Sequence, residues 1–303
     1  MSRYIILVFI VIVYGRLYAQ LVEVQVDYNS NRDCVFGAYN NAKVPMYLHI
    51  NFADLSNTSF SETLPYIKKL DPGFNSLFTL YSAGGQTPHF QYDIKSFRSN
   101  PTANVNLDFP YLIPFKPGEN VTPKSVKSIT GFRGENEPKS WLATGFIAKT
   151  GDEIYAARQG IIVEIAGKEK TGDPVYWYNA WNYSVTLLQP DGTLICYRNI
   201  IDRNNRLELN QKIHAGEFLG EVAPGAKELI LLIYRNKISD LISTNNTGKN
   251  SSDLKYIIPQ FAVNENNIEI LNSAKEYNVV HPASVRGLEM SKKEKRKILG
   301  IRK

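Results

Sequence analysis

Residues 151–165 read GDEIYAARQGIIVEI, and this stretch decides the fold of the second half of the chain. Its β-branched and aromatic residues fall in two short groups, which predict strands over 153–157 and 161–165. Gly160 favours a sharp bend where the second group begins. The same pattern of strands and turns continues in three later stretches, QPDGT at 189–193, KIHAGEFLG at 212–220 and ELILLIYRN at 228–236.

Together these four stretches resemble the lysostaphin-type zinc metallopeptidases, which are peptidoglycan endopeptidases. The resemblance covers residues 110–236. It implies a β-barrel-like domain of the duplicated-hybrid-motif (barrel-sandwich) type. Biotinyl and lipoyl carriers share that architecture, but the hairpin at Asp191-Gly192 has no carrier lysine, so we discard that interpretation.

The resemblance also implies where zinc ligands would stand, and this chain has other residues there. The family's site takes a His, an Asp four residues later and the second His of a His-x-His strand, leaving one place for water. Bound zinc lowers the pKa of that water and polarises the scissile carbonyl. The three ligand positions fall on Trp141, Gly145 and Ile230, and two further histidines of the family, which assist in the chemistry, fall on Asn199 and Glu228; these five are the vestigial positions. We therefore expect no catalytic residues, no metal site and no cofactor.

A displaced site is the alternative, in which the protein is an active zinc-dependent endopeptidase. Its ligands would be drawn from His89, Asp93, Glu228 and His214. His89 and Asp93 have a His-x3-Asp spacing, but residues four apart on a strand lie about 13 Å from each other. We interpret that pair as solvated polar side chains. The remaining histidines are His49, in a predicted strand, and His281, just before a proline.

A further group of candidates concerns binding. Residues 176–183 are unusually aromatic, and aromatic faces stack on sugar rings and anchor interfaces. Alternate aromatic residues also form the cores of sheets, so both interpretations stay open. Arg158 and Arg235 are additional candidates for the lining of a cleft. The candidate binding residues are Tyr176, Trp177, Trp181, Arg198 and Glu228.

Composition divides the chain into four parts. Residues 1–19 predict a signal peptide, because Arg3 precedes an apolar run shorter than the roughly 20 residues that span a bilayer. Residues 20–108 predict an Ig-like β-sandwich, 109–240 the peptidase-like domain, and 241–303 a C-terminal extension with a short basic helix. The fold class is therefore all-β, and we expect the protein to be exported to the periplasm or the extracellular space.

The strand predictions rest on alternation and on turn residues between the runs. Two segments are expected to be irregular, the proline-rich seam at 109–118 and a loop at 123–140. A bridge between Cys34 and Cys196 is left open, since their distance cannot be read from sequence. Besides the two strands above, we expect strands at 21–28, 35–39, 46–52, 74–81, 90–97, 105–109, 184–188, 194–198, 218–222, 229–234, 256–261 and 277–280.

The net charge of +6 is concentrated at the C-terminus. Residues 291–303 hold seven Lys and Arg against one Glu, which is the whole excess. The body of the chain is thus neutral, and no nucleic-acid-binding motif is present in the sequence. Ser291 and Glu294 form a capping box for the basic helix, which Gly300 ends. This tail is a candidate contact to an anionic surface.

These observations favour a catalytically inactive, peptidase-like protein of the cell envelope. Its expected partner is peptidoglycan or an envelope protein, with regulation of a wall hydrolase as one possible role. Besides the displaced-ligand peptidase, a purely structural envelope protein is the second alternative. In that case Trp141 and Ile230 would fill the groove.

Overall fold

The computed structural model describes residues 21–126, 142–167, 183–236 and 254–300. Within these ranges the chain is built from β-strands and two short helices, so the all-β class is confirmed. No helix in the described ranges is long and apolar enough to cross a bilayer. The predicted signal peptide, Trp141, Tyr176, Trp177 and Trp181 lie outside the described residues.

The N-terminal part consists of two antiparallel sheets around one core. The first sheet has the strand order β1-β2-β6-β4 and the second β5-β3-β7. The Ig-like assignment stays a prediction. The strands are Val22–Tyr28 (β1), Cys34–Asn40 (β2), Met46–Ser56 (β3), Thr58–Ser59 (β4), Tyr66–Leu70 (β5), Gly73–Ser82 (β6) and His89–Phe97 (β7).

Alternation along each strand sends one set of side chains into this core. In β1 the valines at 22, 24 and 26 are buried or half-buried, whereas the polar residues between them are exposed. The core is aromatic, with Phe36 stacked on Phe78 at 4.6 Å between ring centroids. Burial of such rings is the main stabilising contribution here.

The second part is built around one large sheet with the order β10-β11-β19-β15-β14-β13-β17, and β20 pairs with β19. Three small sheets complete it, with orders β12-β18-β16, β22-β21-β8 and β23-β9. Its elements are Pro110–Leu112 (β8), Asn120–Val121 (β9), Pro123–Ser125 (β10), Thr144–Ile147 (β11), Glu153–Tyr155 (β12), Gly160–Ala166 (β13), Ser184–Leu188 (β14), Leu194–Arg198 (β15), Ile200–Ile201 (β16), Lys212–Ile213 (β17), Phe218–Val222 (β18), Glu228–Asn236 (β19), Leu254–Tyr256 (β20), Gln260–Ala262 (β21), Ile268–Glu269 (β22), Tyr277–Asn278 (β23), Ala283–Arg286 (α1) and Lys292–Ile298 (α2).

The two faces of β19 have different surroundings. Leu229, Leu231 and Ile233 belong to the main core, which also contains Tyr197 and Phe146. The alternate residues of β19 point to the opposite face of the sheet, since successive side chains on a strand alternate. Glu228 and Ile230 lie on this second face, together with Gly145, which is paired with Ile230.

The two parts pack against each other through apolar and polar contacts. Val44 of the N-terminal part joins Val163, Leu188 and Leu194 of the large sheet in one buried cluster. Beside it, the buried Ser99 hydroxyl donates to Asn236 Oδ1 at 2.5 Å. These contacts join the β3 side of the N-terminal part to the large sheet.

Two expectations about the seam are wrong. Residues 105–109 form no strand. Instead, the Asp108 amide donates to Asn106 Oδ1 at 3.0 Å, a side-chain turn that competes with strand pairing. The proline-rich segment does contain a strand, because β8 begins at Pro110, and proline is tolerated at the first residue of a strand.

The expected loop over 123–140 also begins with a strand, β10, which is the edge of the large sheet. Pro123 is accommodated there because an edge strand has one unpaired side. The single strand expected at 256–261 is two strands, β20 and β21, with Pro259 between them. The predicted C-terminal helix is confirmed, including its capping box.

Both cysteines are free and buried. Cys34 lies in the core of the N-terminal sheets and Cys196 in a cluster on the second face of the large sheet. The structure thus contains no bridge between them, because they belong to different cores.

Candidate functional site

Two of the vestigial positions, Gly145 and Ile230, are neighbours in one row of the large sheet, which Arg198 continues. Gly145 of β11 is paired with Ile230 of β19, and Ile230 is paired on its other side with Arg198 of β15. Neighbouring strands lie about 4.8 Å apart, so these three residues are direct neighbours. The assignment of these positions to a former metal site stays a prediction.

Asn199 and Glu228 lie beside this row, Asn199 directly after β15 and Glu228 at the start of β19, opposite Ile147. Asn199 adopts a left-handed backbone conformation with φ of 66°, and its side-chain amide donates to the Glu228 carbonyl oxygen at 3.0 Å. The Glu228 carboxylate forms an ion pair with Lys124 of β10. Asn199 thus links the end of β15 to β19. The Glu228 carboxylate is already paired with the Lys124 ammonium group.

The middle of the row is closed by packing. A Cβ atom added to Gly145 would stand 2.5 Å from Val126 Cγ2 and 2.8 Å from Lys124 Cγ. Ile230 is 5% exposed and clusters with Cys196 and Leu232. The surface around Ile230 is therefore apolar.

The residues at the described vestigial positions do not fit a zinc ion. Glycine has no side chain, isoleucine has no donor atom, and the amide of Asn199 is engaged with the backbone. Zinc sites need three or four convergent N, S or O ligands. Across the part of the chain that the structure describes, no group of three His, Cys, Asp or Glu side chains could hold a metal.

The proposed displaced ligands are not brought together either. His89 forms an ion pair with Asp54 at 3.2 Å, at the exposed end of β7. His214 contacts Gln159 at 3.0 Å, between Nδ1 and the amide oxygen. Asp93 lies on β7, and Glu228 lies on β19. The residues of this alternative are spread over both parts of the molecule.

Of the two other histidines, His49 is buried and His281 is half-buried. His49 is 2% exposed, and its Nε2 has no hydrogen-bond partner among the described residues. Burial lowers the pKa of His49, and Lys95 adds to the effect. His281 contacts the Ile113 carbonyl oxygen through Nε2 at 3.0 Å, and burial lowers its pKa as well. In their neutral forms both are structural side chains.

Next to the apolar row, the second face carries polar groups that the sequence analysis did not single out. Thr186 is 1% exposed and contacts Glu164 at 3.5 Å. Glu164 is in turn paired with Arg98 of the N-terminal part at 2.9 Å. Burial raises the pKa of the neighbouring Cys196 thiol. Alternation along β13, β14 and β15 was the signal that could have placed these side chains on one face.

Arg158 does not line this face, so that expectation is wrong. Its side chain is 3% exposed and forms ion pairs with Asp191 at 2.8 Å and with Glu289 at 2.6 Å. The guanidinium also lies 3.7 Å from the centroid of the Phe109 ring. Its role is to connect the proline-rich seam, the 189–193 hairpin and the C-terminal segment.

Comparison with known proteins gives a limited result. No family model and no curated protein matches the chain. Among solved structures, a candidate glycyl-glycine endopeptidase from Ruminococcus gnavus is similar at 18% identity and a TM-score of 0.28. That match covers 43% of this chain and 53% of the other, so this chain spans about half of that protein's length.

Two further solved structures are similar to a comparable degree. The catalytic domain of the antimicrobial peptidase lysostaphin from Staphylococcus simulans shows 18% identity over 39% of this chain and 79% of its own, with a TM-score of 0.26. Csd3 from Helicobacter pylori shows 11% identity over 91% of this chain and 83% of its own, with a TM-score of 0.31. At such values the likeness carries no functional conclusion, and family membership stays an interpretation of the motifs.

Proposed function

We propose that this protein is a catalytically inactive, exported, peptidase-like protein that binds peptidoglycan through the second face of its large sheet. One observation carries the proposal. Gly145 and Ile230, which stand at two of the ligand positions that the resemblance implies, are paired on neighbouring strands, and neither side chain supplies a metal donor. Hydrolysis by zinc depends on an activated water, which needs such donors.

The polar border of the row supports a binding role. The Lys124–Glu228 ion pair lies at one end, and Arg198 lies on the next strand. Lysine and arginine head groups donate to peptide carboxylates, and Glu228 accepts from amides and hydroxyls. A peptide cross-linked to sugar offers all of these groups. Regulation of a wall hydrolase would follow if binding positions such an enzyme.

Sedimentation of the purified full chain with insoluble peptidoglycan tests the proposal. We expect the protein to sediment without releasing soluble fragments. Arg198→Ala should weaken sedimentation, whereas Arg203→Ala is the matched control, since Arg203 is an exposed arginine paired with Glu221. Equal sedimentation of both variants and the native chain would contradict the assignment of this face.

Metal content provides an independent check. After dialysis against trace zinc, elemental analysis should find far less than one zinc per chain. One zinc per chain, together with cleavage that Glu228→Gln abolishes, would establish the displaced-ligand peptidase in place of this proposal.

A purely structural envelope protein is the second candidate, and the closed row favours it. Ile230, Leu232 and Cys196 are each less than a tenth exposed, so the row offers little apolar surface to a ligand. No binding to peptidoglycan, combined with capture of one defined envelope protein, would favour this second function.

A further inference from the structure

An open pocket of about 750 Å³ lies between the C-terminal helix and the body of the protein, away from the row described above. One wall is the turn after β17, including Lys212 and Glu217. The other wall is the C-terminal segment, including Arg286, Lys293, Glu294 and Lys297. The volume falls within the usual range of about 300–1,000 Å³ for small-ligand sites.

The charges of the pocket do not cancel. Glu294 is paired with Lys212 at 2.5 Å, and this contact with the Ser291 cap lowers the pKa of Glu294 to about 2. The Glu217 carboxylate accepts a hydrogen bond from the His214 amide at 2.9 Å. Four cationic side chains therefore face two carboxylates, both of which are already engaged.

Three of the cations have no acidic partner within the described ranges. Arg286 is half-buried, and its Nε donates weakly to the Ala215 carbonyl oxygen at 3.4 Å. Lys293 and Lys297 are exposed and lie four residues apart on α2, so they share one face of the helix. That face is the one that lines the pocket.

The wall that carries these cations is held in place. The capping box fixes the start of α2. Upstream, the buried Arg158–Glu289 pair joins the same segment to the body, and Gln159 donates to the Glu289 carbonyl oxygen at 3.2 Å. Because these contacts fix the chain at the start of α2, the cationic wall is preorganised, which reduces the entropy that a ligand must overcome.

We propose that this pocket binds a small ligand bearing a phosphate group. A guanidinium and two ammonium groups around one cavity match a doubly charged oxyanion, because each forms charge-assisted hydrogen bonds with it. Ala215 and Ile298 add an apolar part to the wall, against which the carbon skeleton of a phosphate ester packs. A free phosphomonoester and a lipid headgroup are the two sources of this chemistry. The inference is independent of the function proposed above.

Calorimetric titration of the full chain with glycerol 3-phosphate tests the pocket. We expect saturable binding that Lys293→Gln/Lys297→Gln weakens at least about tenfold, because two charge-assisted bonds are lost. The matched control is Lys292→Gln/Arg296→Gln, which removes the same charge from α2 at residues outside the pocket wall. It should change the affinity by less than about threefold.

Vesicles distinguish the two sources of the ligand. Vesicles of equal parts phosphatidylcholine and phosphatidylglycerol are compared with pure phosphatidylcholine. Binding to the anionic vesicles that only the Lys293/Lys297 double substitution removes, without binding of glycerol 3-phosphate, would support a lipid headgroup in the pocket. An equal loss for both double variants would show that the basic tail acts as a diffuse charge, and this would overturn the proposal. If neither glycerol 3-phosphate nor the anionic vesicles bind, the proposal is overturned as well.

Discussion

Replacing Arg158 by methionine should destabilise the protein more than replacing any other charged side chain described above. Methionine keeps a similar length and apolar stem but removes the cation. The carboxylates of Glu289 and Asp191, with side chains 16% and 13% exposed, would then lack their counter-ion. The Tyr111 hydroxyl, which contacts Arg158 NH1 at 3.2 Å, would lose a partner too.

The magnitude follows from this burial. Removal of one partner from a buried pair costs about 3–5 kcal/mol, since an uncompensated charge stays in the interior. Burial already raises the pKa of Glu289, and Arg158 opposes that rise. Without the arginine the pKa of Glu289 should increase further, so part of the loss should be recovered at acidic pH. Arg158→Met/Glu289→Gln should therefore be more stable than Arg158→Met alone.

Urea unfolding followed by far-ultraviolet circular dichroism measures these effects. Arg203→Met is the control, because the Arg203–Glu221 pair is exposed and such pairs contribute about 0.2–1 kcal/mol. An Arg158→Met variant that loses no more free energy of unfolding than this control would refute the argument. It would mean that water reaches Glu289 and Asp191 as soon as the arginine is removed.

Two further predictions use the same measurement. Gly145→Ala should lower the free energy of unfolding by about 1–3 kcal/mol, because the added Cβ would stand 2.5 Å from Val126 Cγ2. Adding Val126→Ala should recover part of that loss. If the losses of the two single variants simply add in the double variant, the packing argument is contradicted. Burial lowers the pKa of His49 and His281 in the folded protein. The free energy of unfolding therefore has its full contribution from these two residues above the unfolded pKa of about 6.5, and it decreases as the pH falls below that value. The decrease is at most about 1.4 kcal/mol per pH unit for each histidine. His281→Gln should flatten that slope between about pH 7 and pH 5, and an unchanged slope would exclude His281 as a contributor.

The local patterns predicted most of the strands correctly. In β19 the run ELILLIYRN contains enough apolar residues to be buried on both faces, and the structure confirms a strand over Glu228–Asn236. The errors fell where side chains or prolines decide the backbone. Asn106 forms a side-chain turn in place of the expected strand, and Pro110 and Pro123 begin strands where irregular structure was expected.

The adjacency of Gly145 and Ile230 followed from the resemblance, whereas the residues that pack around them did not. The resemblance placed Gly145 and Ile230 in one site, and the register of β11 and β19 brings them side by side. The closing of that row by Lys124 and Val126 was not predictable, because the sequence pattern did not show β10, which contains Lys124 and ends one residue before Val126. The burial of Thr186 within β14 was not predictable either.

The sequence by itself determined the all-β class, the capping box of the C-terminal helix and the residue types at the vestigial positions. These features depend on neighbours a few residues apart, whose alternation, turns and caps act locally. Three other features became known only from the tertiary structure. They are the partners of Arg158, the placement of Cys34 and Cys196 in different cores, and the cationic pocket beside α2. Those properties arise from contacts between residues far apart in the chain, and their geometry is set by the packing of both sheets at once.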